Sequence, residues 1–376
     1  MILKNGLIFN ENAQFVPADV ELADGKIVKV APAGTLSGAE ELDATGKYVT
    51  PGFVDIHIHG SKGSDFCDNG AEHIETMSQY LGSEGVTSFC GTTMTFSEEI
   101  LAGIFATAKP YMDKETGGAV LRGINMEGPF INMAKKGAQA GTYVIPPDIG
   151  MFDRLDEACG GKVKLVDLAP EVENAIPFIE HASKKCVVSI AHTCATYDQA
   201  KAGFAAGASH VTHLFNAMPP FAHRDPGVVG AAFDDAAHVE MISDGIHLHP
   251  CVVRSVFQLF GDDRVCLISD SMRAAGMPNG VYSLGGQTVY MTDGKATLED
   301  GTIAGSATCL AECFRRAVSF GVPLVSALKA ATINPAKTVG LFDTLGSITA
   351  GKRADVLVLD ETLHPEHIFI GGVKTK

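Results

Sequence analysis

The residues able to do chemistry in this chain are histidines and acids set at the ends of apolar runs. Thr50-Pro51-Gly52-Phe53-Val54-Asp55-Ile56-His57-Ile58-His59-Gly60 is an extended stretch that closes on two histidines. Alternate side chains of a strand share a face, so His57 and His59 point one way and Ile56 and Ile58 the other. Two imidazoles on one face at a strand end suit a divalent metal. Alone, the pair reads first as two hydrogen-bonded core histidines. The same setting recurs, however. Glu127 follows Asn125-Met126, His192 follows Ser189-Ile190-Ala191, and His213 closes Val211-Thr212-His213. Asp244 and His247 follow a further apolar run, and Asp270 follows Leu267-Ile268-Ser269.

Each position has a plainer reading. A lone histidine after a strand is more often satisfied locally, Glu127 can cap the turn after it, and Asp270 can be a helix N-cap. The site reading gains because the positions agree independently. His73, His181, His238, His364 and His367 have no such placement. His210 lies three residues before His213, so on a regular strand it faces the opposite side. His249 shares parity with His247 and is its rival.

The elements that must position these residues alternate between strand and helix. Strand-like runs occur at Val49–Ile58, Thr87–Cys90, Val120–Met126, Val163–Leu168, Val187–Ala191, His210–Leu214, His238–Ile242 and Val265–Ser269. Helical patterns separate most of them, among them Ala71–Leu81, Ile176–Lys184, Tyr197–Ala206 and Val252–Phe260. The count and span fit an α/β fold, a (β/α)8 barrel of the TIM type, whose usual length is about 250 residues and whose active site lies at the carboxyl ends of the strands. All the singled-out residues would then converge at one rim.

Both chain ends are β-rich. Val20-Glu21-Leu22 and Lys26–Val30 flank Asp24-Gly25, a hairpin signal, and Asp355–Asp360 precedes Gly371-Gly372. Neither end buries a core alone. The expectation is therefore a small β-sandwich domain from residues 1–49 plus 345–376, beside a barrel of residues 50–344. Gly285-Gly286 and Asp293-Gly294 mark a β-hairpin inserted near 281–299.

Composition narrows the partners. Of 376 residues, 46% are hydrophobic and 19% charged, which fits a globular core-rich chain. A net charge of -15 argues against nucleic acid and against an anionic membrane surface. Any anionic small substrate needs specific cations to hold it. Nine cysteines without a CxxC pair read as reduced thiols, and no leader or bilayer-spanning run is evident, so a cytoplasmic protein is expected.

The first-strand motif Pro51–Gly60 resembles that of the amidohydrolase superfamily. Most of its cyclic-amide hydrolases bridge two metals with a modified lysine. This chain instead has Met126-Glu127-Gly128-Pro129-Phe130, Lys135-Lys136-Gly137-Ala138-Gln139, His213-Leu214-Phe215-Asn216-Ala217-Met218 and Ile303-Ala304-Gly305-Ser306. That set is similar to the N-acetylglucosamine-6-phosphate deacetylase family, over nearly the whole chain.

The resemblance implies hydrolytic deacetylation of a phosphorylated N-acetylhexosamine in amino-sugar catabolism. It implies that Glu127, His192 and His213 bind a divalent metal (zinc, iron or manganese), and that His57 and His59 bind a second with Glu127 bridging. Asp270 would pass a proton from the attacking water to the departing amine. Ala138, Gln139, Asn216, Ala217, Arg224, His247, Ile303, Ala304 and Gly305 would contact substrate. In relatives the loop bearing Arg224 reaches the neighbouring subunit, so a homodimer is expected. Some relatives have a histidine where this chain has Gln139, which leaves Gln139 and His247 as alternative oxyanion donors. The N-acetylgalactosamine isomer, another amide hydrolase of this superfamily and a non-catalytic sugar-binding barrel are the competing readings. Retention of all the ligands and of Asp270 weighs against the last.

Overall fold

Eight parallel strands form the centre of the computed structural model, which describes residues 1–68 and 70–376. In chain order they are Phe53–Ile58, Val86–Thr92, Val120–Glu127, Val163–Leu168, Val187–Ile190, His210–Val211, His238–Met241 and Val265–Leu267. Each pairs with the next, so sequence order is sheet order. They are buried along almost their whole length, as expected for strands covered on both faces, and are rich in Val, Ile, Leu and Phe. The eighth strand does not ladder back onto the first. The gap is closed instead by the Asp270 N–H donating to the His57 carbonyl at 2.9 Å, and by the Ser269 hydroxyl donating to Asp55 at 2.5 Å.

Helices return the chain outside this barrel. Tyr197–Ala206 begins with a capping box, in which Thr196 accepts from the Gln199 N–H and Gln199 accepts from the Thr196 N–H. Aromatic contacts join helix to barrel, for example Phe53 to Phe314 with ring centres 5.1 Å apart, and Phe130 to Phe178 at 4.9 Å.

Two runs differ from their sequence expectation. Val49–Ile58 reads as one strand but is two. Tyr48–Pro51 pairs with Val356–Leu359 in the terminal sheet, and Phe53–Ile58 enters the barrel. The switch falls at Gly52, where a Cβ would stand 2.2 Å from the Thr87 side chain. The sixth strand is only His210–Val211, because His213 adopts a left-handed φ of 28°. The alternation that would oppose His210 to His213 therefore does not run that far.

The chain ends meet in one sheet. Its order runs from Val373–Lys374 through Pro365–Ile370, Val356–Leu359, Tyr48–Pro51, Ile2–Phe9 and Phe15–Ala23 to Lys26–Pro32. The sheet bends over on itself until Lys26 bridges Arg353 and the Ala354 N–H donates to Gly25. Leu3, Ile8, Val20, Ile27, Val49, Val356 and Phe369 fill the fold. The insertion is a three-stranded antiparallel meander, Gly280–Leu284, Gln287–Thr292 and Lys295–Thr297, one strand more than a hairpin. Its apolar face, Leu284, Val289, Met291 and Ala296, packs on Met94, Ala138, Met272 and Ala304. That contact sets the meander as a wall at the barrel mouth. Among the described residues, no helix is long and apolar enough to cross a membrane.

Candidate active site

Backbone geometry aims the site. His57 lies in the first strand, His59 just beyond it, and Glu127 is the last residue of the third. His192, His213 and Asp270 lie in the loops leaving the fifth, sixth and eighth strands, with φ of 43°, 28° and 46°. A left-handed non-glycine residue costs about 1–3 kcal/mol and persists only where its surroundings demand it. Here three such residues turn their side chains toward one point.

At that point Glu127 Oε1 lies 3.1 Å from His192 Nε2 and 3.2 Å from His213 Nε2, and the two Nε2 atoms are 3.1 Å apart. Glu127 Oε2 is 3.3 Å from His59 Nε2. His57 Nε2 lies 3.6 Å from Glu127 Oε1 and 3.7 Å from Asp270 Oδ1, which is itself 3.2 Å from His59 Nε2. Two triads lie side by side, Glu127–His192–His213 and His57–His59–Asp270, and a third, His57–Glu127–Asp167, links them, all buried.

The outer nitrogens explain why a cation fits. His57 Nδ1 meets Glu240 Oε2 at 2.9 Å, His192 Nδ1 meets the Lys135 carbonyl at 2.8 Å, and His59 Nδ1 meets the Thr92 carbonyl at 3.3 Å. Each partner is an acceptor, so each Nδ1 carries the proton and each Nε2 presents a lone pair. These lone pairs face carboxylate oxygens and one another, which is repulsive without a positive charge between them. Ligands about 2.1 Å from a tetrahedral ion stand about 3.4 Å apart, close to the observed spacings. Burial opposes charging His57 and His59. Glu240 and Glu127 nevertheless hold His57 well above its usual range, and Asp270 and Glu127 lift His59 to about 10. The acids thus demand cations, whether protons or metal.

Three further acids lie in the barrel strands, and sequence reasoning did not single them out: Asp55, Asp167 and Glu240, each wholly buried. Burial pushes Asp55 up to about 7 despite its bonds to Ser269 and His57 N–H. Burial and the Glu240 charge drive Asp167 well above the usual carboxyl range. The available signal was an isolated acid inside an apolar strand, as in Val239-Glu240-Met241.

Above the triads opens a cavity of about 530 Å³. Of the residues expected to contact substrate, Ala138, Gln139, Asn216, Ala217, His247, Ile303 and Gly305 line it. Ala304 lies behind the wall, wholly buried, with its N–H donating to Ala296. Arg224 is exposed, beside His223, in a separate groove with Tyr197 and Pro226. His247 faces the cavity with Nδ1 on Asp244 at 2.8 Å, whereas its rival His249 caps the helix Pro250–Phe260. Lys135 and Lys136 also line the cavity and were not among the expected contacts. Both ammonium groups rest on backbone carbonyls, Lys135 on Met218 and Lys136 on Gly137 and Gln139.

A barrel whose strand ends gather these groups narrows the choice of family, and comparison decides it. The amidohydrolase family model matches residues 48–375. The chain belongs to the amidohydrolase family. This amidohydrolase is 37% identical over 367 residues to the N-acetylglucosamine-6-phosphate deacetylase of Bacillus subtilis (strain 168), covering 96% of this chain and 93% of that one. It is 33% identical over 374 residues to the N-acetylgalactosamine-6-phosphate deacetylase of Escherichia coli O157:H7, covering 99% and 98%. Among solved structures it superposes with a TM-score of 0.93 and 32% identity on a mutant N-acetyl-D-glucosamine-6-phosphate deacetylase from Mycobacterium smegmatis in complex with N-acetyl-D-glucosamine-6-phosphate. That match covers 100% of this chain and 99% of the other. The amidohydrolase fold is thus shared with that structure over the full chain.

Proposed function

We infer that this amidohydrolase removes the acetyl group of N-acetyl-D-glucosamine 6-phosphate, yielding D-glucosamine 6-phosphate and acetate in amino-sugar catabolism. The observation that carries the reading is the convergence of Glu127, His192, His213, His59 and Asp270 at the floor of one cavity, with His57 buried against them, in a chain 37% identical to a deacetylase over 96% of its length.

The donor set fits a divalent metal, and imidazole with carboxylate suits zinc, iron or manganese. We assign Glu127, His192 and His213 as the residues that would hold one ion, and His57 and His59 together with Glu127 as those that would hold a second. Bound there, the metal supplies Lewis acidity and lowers the pKa of water to about 7. Asp270 is the proton carrier. Burial would keep its carboxyl protonated, but positive charge at the His59 and His57 Nε2 atoms beside it, 3.2 and 3.7 Å from Oδ1, holds it below the usual range and ionised. It takes the proton of the attacking water and returns it to the amine nitrogen as the C–N bond breaks. Although burial opposes its charge, His247 is held above its usual pKa by the Nδ1–H bond it donates to Asp244, and as an imidazolium it offers its Nε2–H to the oxyanion.

Phosphate needs cations in a chain of net charge -15. Lys135 and Lys136 supply two within the cavity. Arg224 lies outside it, so its contact with phosphate requires a second chain, and a homodimer follows from that role. Nine free cysteines fit a cytoplasmic location.

The testing experiment is acetate release from N-acetylglucosamine 6-phosphate, N-acetylgalactosamine 6-phosphate and their unphosphorylated forms, alongside metal analysis of the purified protein. Fastest turnover of the glucosamine phosphate with about two ions per chain is expected. Preference for the galactosamine phosphate would reassign the substrate, and absence of metal would overturn the site.

A further inference from the structure

Glu240 lies mid-strand between Val239 and Met241, wholly buried, and does not line the cavity. Its Oε2 accepts from His57 Nδ1–H at 2.9 Å and from the His213 backbone N–H at 3.3 Å. Its own carbonyl accepts from the Leu214 N–H at 2.9 Å. One residue of the seventh strand therefore holds the first-strand imidazole and the sixth-strand turn together. Among the described residues its ion-pair partners are both histidines, His57 at 2.9 Å and His210 at 3.9 Å, and its Oε1 has no hydrogen-bond partner. A buried carboxylate so placed is unfavourable unless a positive charge compensates it. A bare neutral imidazole is poor compensation. An imidazole bound to a cation on its far nitrogen is good compensation.

We propose that Glu240 is a positioning residue for the metal centre, fixing His57 as an Nδ1–H imidazole and linking the His57 ion position to the backbone that aims His213. This rests on the metal-dependent reading of the site. A carboxylate behind a ligating histidine fixes its tautomer and ring orientation and makes the free nitrogen a stronger donor. Because the same oxygen accepts the His213 backbone N–H, Glu240 touches one member of the His57–His59–Asp270 triad and one member of the Glu127–His192–His213 triad. Removing only its charge weakens the His57 position first, since an amide oxygen in its place still accepts one N–H.

The test compares wild type with Glu240→Gln, each loaded with zinc and then challenged with a chelator. Wild type is expected to hold about two ions. E240Q should release one of them about 10- to 100-fold faster. For N-acetylglucosamine 6-phosphate, kcat should fall while KM stays within about twofold, because Glu240 is remote from the cavity. The metal-free proteins separate positioning from general structural support. The melting-temperature difference between metal-free E240Q and metal-free wild type measures the structural contribution of Glu240 alone, and zinc should raise the melting temperature of E240Q less than that of wild type. Equal zinc content, equal release rate and equal kcat in a folded E240Q would overturn the proposal, as would an equal loss of melting temperature with and without zinc. A wild type that binds no zinc would instead overturn the site reading itself. Should E240Q not fold, Glu240→Asp, which withdraws the charge from His57, gives the same readouts.

Discussion

Gln139 donates from Nε2 to Glu127 Oε2 at 2.6 Å while its Oε1 accepts the Thr95 backbone N–H at 2.7 Å. The second bond fixes which way the amide points, and the first pins the carboxylate oxygen that faces His59. Gln139 is therefore engaged with a metal-site acid, which favours His247 as the donor to the oxyanion. Gln139→Ala should leave the buried Thr95 N–H unpaired, a loss of about 1–3 kcal/mol seen as a lower melting temperature. It should also reduce kcat by about 10- to 100-fold by loosening Glu127. Wild-type kcat and metal retention in this variant would show that the clamp is dispensable.

Asp270→Asn removes the proton carrier and keeps a side chain of the same shape. Metal content should persist, because Glu127, His192 and His213 remain. Acetate release should fall by at least about 100- to 10,000-fold, the span attributed to general acid–base catalysis. Near-normal turnover would remove Asp270 from the chemistry.

Arg224 lies in the groove outside the cavity of its own chain. Arg224→Ala should raise KM for the phosphorylated sugar with little change in kcat. Sedimentation should find wild type as a dimer. Equal use of phosphorylated and free N-acetylglucosamine by wild type would end the phosphate-clamp reading.

The Asp244–His247 pair predicts a pH dependence of stability. Burial disfavours the His247 charge, but the hydrogen bond it donates to Asp244 raises its pKa above the usual value. A raised histidine contributes stability that is complete below its unfolded pKa of about 6.5 and is lost as pH rises through the folded pKa. The melting-temperature gap between wild type and Asp244→Asn should therefore narrow as pH rises above about 6.5. A constant gap from pH 5 to 9 would contradict the ionised pair.

Helix positions were the most legible part of the fold. Tyr197–Ala206 falls where periodicity puts it and Ala71–Ser83 runs two residues past it, and the barrel strands other than the first and sixth deviate by at most two residues at either end. The first strand misled because hydrophobic pattern is blind to a change of partner. Tyr48–Pro51 and Phe53–Ile58 are equally β-prone and belong to different sheets. The sixth misled because a left-handed residue ends the strand alternation without any glycine to announce it.

The sequence by itself determined which residues are available for chemistry. His57, His59, Glu127, His192, His213 and Asp270 are legible because each follows an apolar run, and a strand end is where a parallel barrel presents side chains. Local pattern determines that much because strand formation and burial act over a few residues. Only the tertiary structure decided that Glu240 lies behind His57, that Gln139 clamps Glu127, and that Arg224 stands outside the cavity. These relationships join residues 183, 12 and many more positions apart. They depend on how neighbouring strands are staggered and on which way each loop turns, and side-chain type at a single position encodes neither.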